Sequence, residues 1–249
     1  MFKKTILLTA LLTTSSVAMA EEWKFGIGTG FFGLNIDGDV GLNTSAGPVI
    51  SPLDLSSSDV KDLMESAFGF TGFASKGQWK INYTVAHLEL EQKANAEISD
   101  TGQSIRSKIN FVADTLDINV AYQYSNGFST FAGIRNTSHE IEFDFSSPEI
   151  LIDRDLESDW TDFYVGVSYA KAFGSDKVWI TKVDAGAGDS EGSFTFNTGL
   201  AWQFSKSWAA SIYAKHYSVE FEQGDMGDSD WYFYDASEFG AGLGIMYNW

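Results

Sequence analysis

Residues 238–249 read EFGAGLGIMYNW. Phe239, Leu243, Ile245, Tyr247 and Trp249 share one parity, with Ala241 among them. Glu238, Gly240, Gly242, Gly244, Met246 and Asn248 share the other. Successive side chains on a strand point to opposite faces, so the segment predicts a strand with one large apolar face and one small or polar face. Which solvent the apolar face meets decides the fold.

The other end of the chain bears on that solvent. Residues 1–20 read MFKKTILLTALLTTSSVAMA. Lys3 and Lys4 are a basic start, 6–12 an apolar core too short to span a bilayer, and Ala18-Met19-Ala20 a cleavage signature. The expectation is a signal peptide, 1–20, cut before Glu21, with 21–249 forming one exported domain. No later run reaches the ~20 apolar residues of a membrane helix. Without Lys3 and Lys4, 14 basic residues face 34 acidic ones, which excludes nucleic acid as a natural partner. There is no cysteine, hence no disulfide, thiolate or cysteine–metal chemistry. No cofactor is expected.

Ten period-2 stretches follow one another: 23–35, 67–75, 79–91, 108–124, 128–143, 160–173, 177–188, 193–204, 208–222 and 231–249. Most exceed the roughly 5–6 residues usual for strands in soluble proteins. Four connections are tight: SKGQ at 75–78, SNG at 125–127, GSDK at 174–177 and SKS at 205–207. Four are longer and acidic, at 36–66, 92–107, 144–159 and 223–230, and DSEG at 189–192 is short and acidic. Tight turns on one side and longer loops on the other predict an all-β, transmembrane, antiparallel up-and-down β-barrel of about ten strands, with eight as the smaller alternative. Both termini then lie on the tight-turn, periplasmic side.

Aromatic residues bracket those turns. Phe73, Trp79, Tyr124, Phe128, Phe173, Trp179, Phe204 and Trp208 are read as a girdle at headgroup level. Strand length, the glycine-rich second parity and an apolar parity running to the last residue all favour hydrocarbon outside and small residues inside. A closed barrel leaves no backbone donor unpaired in lipid.

The final segment also resembles the C-terminal assembly signal of Gram-negative outer-membrane proteins, carried here by Phe239, Leu243, Ile245, Tyr247 and Trp249. Trp replaces the usual terminal Phe. The resemblance implies recognition by the barrel-assembly machinery. SPLDLSSSDVKDLMESAFGF, GQWKINY, FAGIR, YVGVSYA, KVDAGAG and LAWQFSKSWAASIYAKHYSVEFE together resemble a poorly characterised group of proteobacterial outer-membrane barrels. That likeness implies a helix in the first extracellular loop and no chemistry.

Alternation places Lys24, Lys80, Arg135, Lys182 and Lys215 inside, with Asp117, Asp162, Asp184 and Glu238. Outside, Lys or Arg at the membrane midplane costs roughly 2–4 kcal/mol. An ion-paired network is therefore expected to fill the lumen, with a narrow small-solute pore as the functional version. Near-balanced charge argues against strong ion selectivity.

Two other function classes compete: a rim enzyme, either an omptin-like protease or a lipid hydrolase, and an adhesin or ligand-binding barrel. Enzyme chemistry is not expected. His87 and His216 read outward at the upper interface, and only His139 reads inward, near the outer rim. Its neighbours Ser138 and Glu140 point the other way.

The acidic connections with their flanks, 35–66, 91–108, 140–159, 188–192 and 220–230, hold 24 of the 34 acids. They are read first as solvating segments. EQGDMGDSD at 222–230 and DRDLESD at 153–159 are the candidates for a divalent cation, without the spacing of a known calcium loop. SSSDVKDLMESAF predicts an amphipathic helix with Val60, Leu63, Met64 and Ala67 on one face, lying on the membrane or plugging the mouth. The expected partners are outer-membrane lipid and lipopolysaccharide. The expected setting is the outer membrane of a Gram-negative bacterium, as a monomer.

Overall fold

The computed structural model describes residues 22–44, 47–98, 103–146 and 151–249. The leader 1–20 lies outside them. The strands are β1 (Lys24–Thr44), β2 (Gly47–Leu55), β3 (Met64–Lys76), β4 (Trp79–Ile98), β5 (Gln103–Gln123), β6 (Phe128–Ser146), β7 (Leu151–Phe173), β8 (Lys177–Gly188), β9 (Gly192–Gln203), β10 (Trp208–Gln223) and β11 (Tyr232–Asn248). One helix, α1 (Ser57–Leu63), precedes β3.

β1 pairs antiparallel with both β2 and β3, each strand from β3 to β10 pairs antiparallel with the next, and β11 returns to β1. Phe25 N–H donates to the Trp249 carbonyl and Trp249 N–H to the Phe25 carbonyl, both at 3.0 Å. This closes a ten-strand barrel of β1 and β3 to β11. Strand β2 is an extra strand on the upper half of β1. Gly77, Gly127 and Gly174 adopt positive φ in three of the tight turns, which is why those turns carry glycine.

The long acidic connections are mostly strand. Residues 92–98 and 103–107 extend β4 and β5, 151–159 extend β7, and 36–44 extend β1. The sequence expectation of loops there is corrected by a change in the alternation itself. In the lower half of β7, Phe163, Val165 and Val167 point outward and are exposed. Above them the same outward parity carries Asp155, Glu157 and Asp159, while Leu156 and Trp160 are buried inside. β10 does the same: Ile212 is exposed outside, whereas Tyr217, Val219 and Phe221 are buried inside and Glu220 and Glu222 are exposed. In β11, Phe239, Leu243 and Ile245 face out, and Tyr232, Tyr234 and Ala236 face in.

The inversion has a simple physical cause. Below it the outside is apolar and continuous around the barrel, the surface of a protein that crosses a bilayer by strands. Above it the outside is polar and meets water, so the wall can be held only by a core of its own inside. That core gathers Ile36, Val60, Leu90, Leu156, Trp160, Tyr217, Val219, Phe221, Tyr232, Tyr234 and Ala236. The expectation that small residues fill the interior throughout is therefore corrected for its upper half. Among the described residues no helix is long and apolar enough to cross a membrane.

The predicted helix forms over fewer residues than expected. Ser56 caps it: its hydroxyl accepts from Asp59 N–H at 3.3 Å, and the Asp59 carboxylate accepts from Ser56 N–H at 2.9 Å. The Ser56 hydroxyl also donates to that carboxylate at 2.5 Å, and this bond with the one from Ser56 N–H holds the Asp59 carboxyl below its usual range. Met64 ends the helix, and Ala67 is already in β3. α1 is set into the barrel wall and not across the mouth. β3 pairs with only residues 24–29 of β1, and β2 only with 36–44. α1 fills the notch between them, touching β1, β2 and β4, with Val60 in the core. Ser57 N–H donates to the Asn35 side chain at 2.8 Å, fastening the helix to the wall.

Candidate functional site

Three places carry convergent polar side chains. The first is the lumen at mid-height. Arg135 on β6 reaches Asp117 on β5 and Asp184 on β8, each at 3.1 Å. Tyr164 donates its hydroxyl to Asp117 at 2.5 Å, and Asn119 donates to Tyr164 at 3.1 Å. Asn82 donates to Asn119 at 2.8 Å, so the chain of contacts runs from β4 to β8. The guanidinium lies 4.7 Å from the Tyr164 ring and 5.0 Å from Tyr217. Glycine makes the approach possible: a Cβ on Gly133 would sit 2.7 Å from Tyr164 Cζ.

The structure brings together four of the nine residues assigned to a lumen network. Lys182 joins Arg135, Asp117 and Asp184, 3.8 Å from Asp184. The other five have separate surroundings. Asp162 faces inward, but it is held by Ser190 N–H at 3.2 Å and Ser190 hydroxyl at 2.7 Å, anchoring the turn between β8 and β9. Lys80 lies over the Phe73 ring at 4.2 Å and Lys215 over the Tyr217 ring at 5.4 Å. Neither has a carboxylate within 4 Å among the described residues. Glu238 is register-paired with Tyr217, and Lys24 is exposed at the lower mouth. Full pairing of the lumen charges is corrected accordingly: cation–ring contacts replace several ion pairs.

The second place is the aromatic layer directly above. His139 lies there, 3% exposed. Its Nδ1 is 2.8 Å from the Tyr232 hydroxyl, and Phe111, Trp160 and Tyr234 stand edge-on at 4.8 Å each. The expected position near the outer rim is replaced by burial in the core, where no carboxylate contacts it among the described residues. Trp160 stacks on Phe221 at 4.5 Å, closing the layer.

The third place is the outer wall. His87 points outward, as its parity implies. Its Nδ1 is 2.8 Å from Asp114, and its Nε2 is 3.1 Å from the Ser66 hydroxyl. Sequence parity put His87 outside, but the pairing that gathers Ser66 and Asp114 around it depends on strand register, which alternation does not reveal. Among the described residues, His216 makes a ring contact with Phe194, at 6.4 Å.

Of the girdle residues, Trp79, Tyr124, Phe128, Phe173, Trp179, Phe204 and Trp208 are exposed at the tight-turn end, between 42% and 58%, whereas Phe73 is corrected: its ring faces the lumen, under Lys80. The terminal-strand residues Phe239, Leu243, Ile245, Tyr247 and Trp249 all face out. The two acidic stretches considered for a divalent cation take different forms. Residues 153–159 form strand, with Asp155, Glu157 and Asp159 spaced along one face. In 222–230, Asp228 accepts from Asp225 N–H and Glu222 from the Trp231 indole. No group of three potential metal ligands occurs among the described residues.

No protein-family model matches the sequence, and no curated protein matches it. Solved structures do. The outer membrane protease OmpT from Escherichia coli superposes with a TM-score of 0.55 at 10% identity, over 95% of this chain and 100% of that one. The translocator domain of the autotransporter NalP from Neisseria meningitidis gives 0.43 at 8%, over 93% and 89%. The attachment invasion locus protein Ail of Yersinia pestis gives 0.37 at 7%, over 92% and 99%. The likeness to OmpT is one of fold: the outer-membrane type of β-barrel.

Proposed function

We propose that this chain is a Gram-negative outer-membrane barrel closed to solute flow, a scaffold whose working surface is its exterior. The observation that carries this reading is the stacking of two plugs in one lumen. The Arg135 network crosses the tube at mid-height, and the Trp160 layer fills it above. A narrow pore would need a continuous polar path through both, and the upper layer is apolar.

The remaining roles follow from the exterior. The outward belt is solvated by outer-membrane lipid, and the girdle sits at the inner headgroups, with lipopolysaccharide at the outer edge. The strand 238–249 is the segment offered to the assembly machinery. The leader 1–20 directs export, and the mature chain works as a monomer.

Reconstitution in planar bilayers tests the closed lumen. The intact barrel should give no unitary steps. A variant that opens both plugs, Arg135→Ala with Trp160→Ala and Phe221→Ala, with unchanged heat-modifiable gel mobility, should begin to conduct. Steady conductance by the unaltered barrel would count against the reading.

A further inference from the structure

We propose that Ser66, His87 and Asp114 form a hydrolytic triad on the outer wall, aimed at acyl esters of membrane amphiphiles. The three residues stand on adjacent strands, β3, β4 and β5. The two contacts of His87 use opposite ring nitrogens: Nδ1 to Asp114 Oδ1 at 2.8 Å and Nε2 to Ser66 Oγ at 3.1 Å. That is the arrangement nucleophilic catalysis requires. A carboxylate accepting from Nδ1–H fixes the tautomer, and the lone pair on Nε2 is left facing the hydroxyl. Phe68 stacks on the imidazole at 4.8 Å and 18°, holding the ring plane.

The alignment depends on a local irregularity. β4 and β5 pair His87 directly with Asp114. On the other side, Ser66 pairs with Glu89, and a bulge between Met64 and Ser66 takes Glu65 out of the ladder. Bulges re-aim side chains and leave one residue's backbone unpaired. Beside a nucleophile, an unpaired N–H is a donor for a developing oxyanion.

Position along the strands selects the substrate. His87 is eight residues above Trp79 on β4, and Asp114 ten above Tyr124. At ~3.3 Å per residue and a ~40° tilt, that is roughly 20–25 Å above the girdle, the height of the apolar band. The triad therefore lies at the outer headgroup boundary. Below it on the same face are Phe70, Val85 and Leu116, a track for an acyl chain, and above it is the carboxylate of Glu89. A carboxylic ester joining a fatty acyl chain to a polar head fits this boundary. Both glycerophospholipid and lipopolysaccharide carry such esters.

The chemistry balances without a further reagent. Ser66 Oγ attacks the ester carbonyl carbon as its proton passes to His87 Nε2. The carbon–oxygen bond to the alcohol breaks, and Nε2 returns the proton to that leaving oxygen. Water then attacks the acyl-serine, giving its proton to Nε2, and the fatty acid departs as Ser66 regains a proton. Ser66 also donates to Glu89 at 3.0 Å in the free barrel. Glu89 thus competes with His87 for the hydroxyl, and its charge opposes an oxyanion.

The test uses the full barrel in two vesicle preparations, one of phosphatidylethanolamine with phosphatidylglycerol and one containing lipopolysaccharide, with fatty-acid release as the readout. A fluorophosphonate probe on the detergent-solubilised barrel reads the nucleophile independently of membrane placement. The inference expects release from one preparation or both and labelling of Ser66. Ser66→Ala should lower release by about 10³-fold or more with unchanged heat-modifiable mobility, and His87→Ala should abolish labelling. Asp114 acts as a positioning residue. Asp114→Asn should lower kcat at constant KM, with Asp114→Glu restoring part, and Glu89→Gln should raise the rate. Release by Ser66→Ala at the unaltered rate would overturn the proposal. So would the absence of both labelling and release.

Discussion

Arg135 and Asp184 meet at 3.1 Å inside the barrel, and the Asp184 side chain has no exposure at all. The pair joins strands two apart in the wall, since Arg135 sits on β6 and Asp184 on β8. A charge buried that completely depends on its partner. Arg135→Ala should therefore destabilise the barrel by about 3–5 kcal/mol, because it leaves the carboxylates of Asp184 and Asp117 without a cation. The midpoint of urea unfolding, followed by heat-modifiable mobility, measures this. A loss no larger than that of an exposed substitution such as Lys177→Ala would show that water enters and solvates the site.

The aromatic layer makes a separate prediction. Trp160→Ala removes a fully buried side chain from its stack with Phe221 and should cost about 3–5 kcal/mol. Phe163→Ala, three residues on and outward, removes a ring that is 69% exposed to the surroundings of the belt. In detergent it should cost less than half as much. Equal losses at the two positions would contradict the assignment of inside and outside on β7.

The inversion of the apolar face explains what the sequence left hidden. The lower barrel could be read from period-2 alternation, and β8 was located to the residue, at 177–188. Trp160 and Phe163 are both large and apolar but lie on opposite parities, so an alternation traced down from Phe173 ends at 160. The strand continues to Leu151. The same break hid the upper half of β1, where Leu34, Ile36, Val40 and Leu42 oppose the parity of Phe31. For the site, parity was enough to turn Arg135, Asp117 and Asp184 inward and His87 outward. It could not tell that Asp162 would find Ser190, because that contact comes from the fold of a turn. Nor could it align Ser66 with His87, because a bulge sets that register.

A third prediction concerns the wall patch. Ser56→Ala removes the cap of α1, and Val60→Asp places a charge in the core behind it. Both should lower the unfolding midpoint, Val60→Asp by more. The Asp59 carboxyl is held below its usual range by Ser56, so its contribution is full above the ordinary carboxylate range. That contribution disappears as pH falls through the lowered value. Thermal midpoints at neutral and strongly acid pH should thus differ less for Ser56→Ala than for the unaltered barrel. A parallel fall in both proteins would contradict the cap's role.

A fourth uses one strand face as its own control. Val165→Lys and Glu157→Lys lie on the same outward parity of β7, on either side of the inversion. In lipid bilayers the first should cost about 2–4 kcal/mol and the second stay within about 0.5 kcal/mol. Reversible unfolding from vesicles gives both values.

The chain has no cysteine, so single cysteines can be introduced along β7 without removing any. Nitroxide labels at 157, 159, 161, 163, 165 and 167 in lipid vesicles test the placement most directly, by comparing collisions with oxygen and with a water-soluble nickel complex. Oxygen should dominate at 163, 165 and 167 and the nickel complex at 157 and 159, with the crossover beside 161. Equal access of the nickel complex to all six positions would contradict the account.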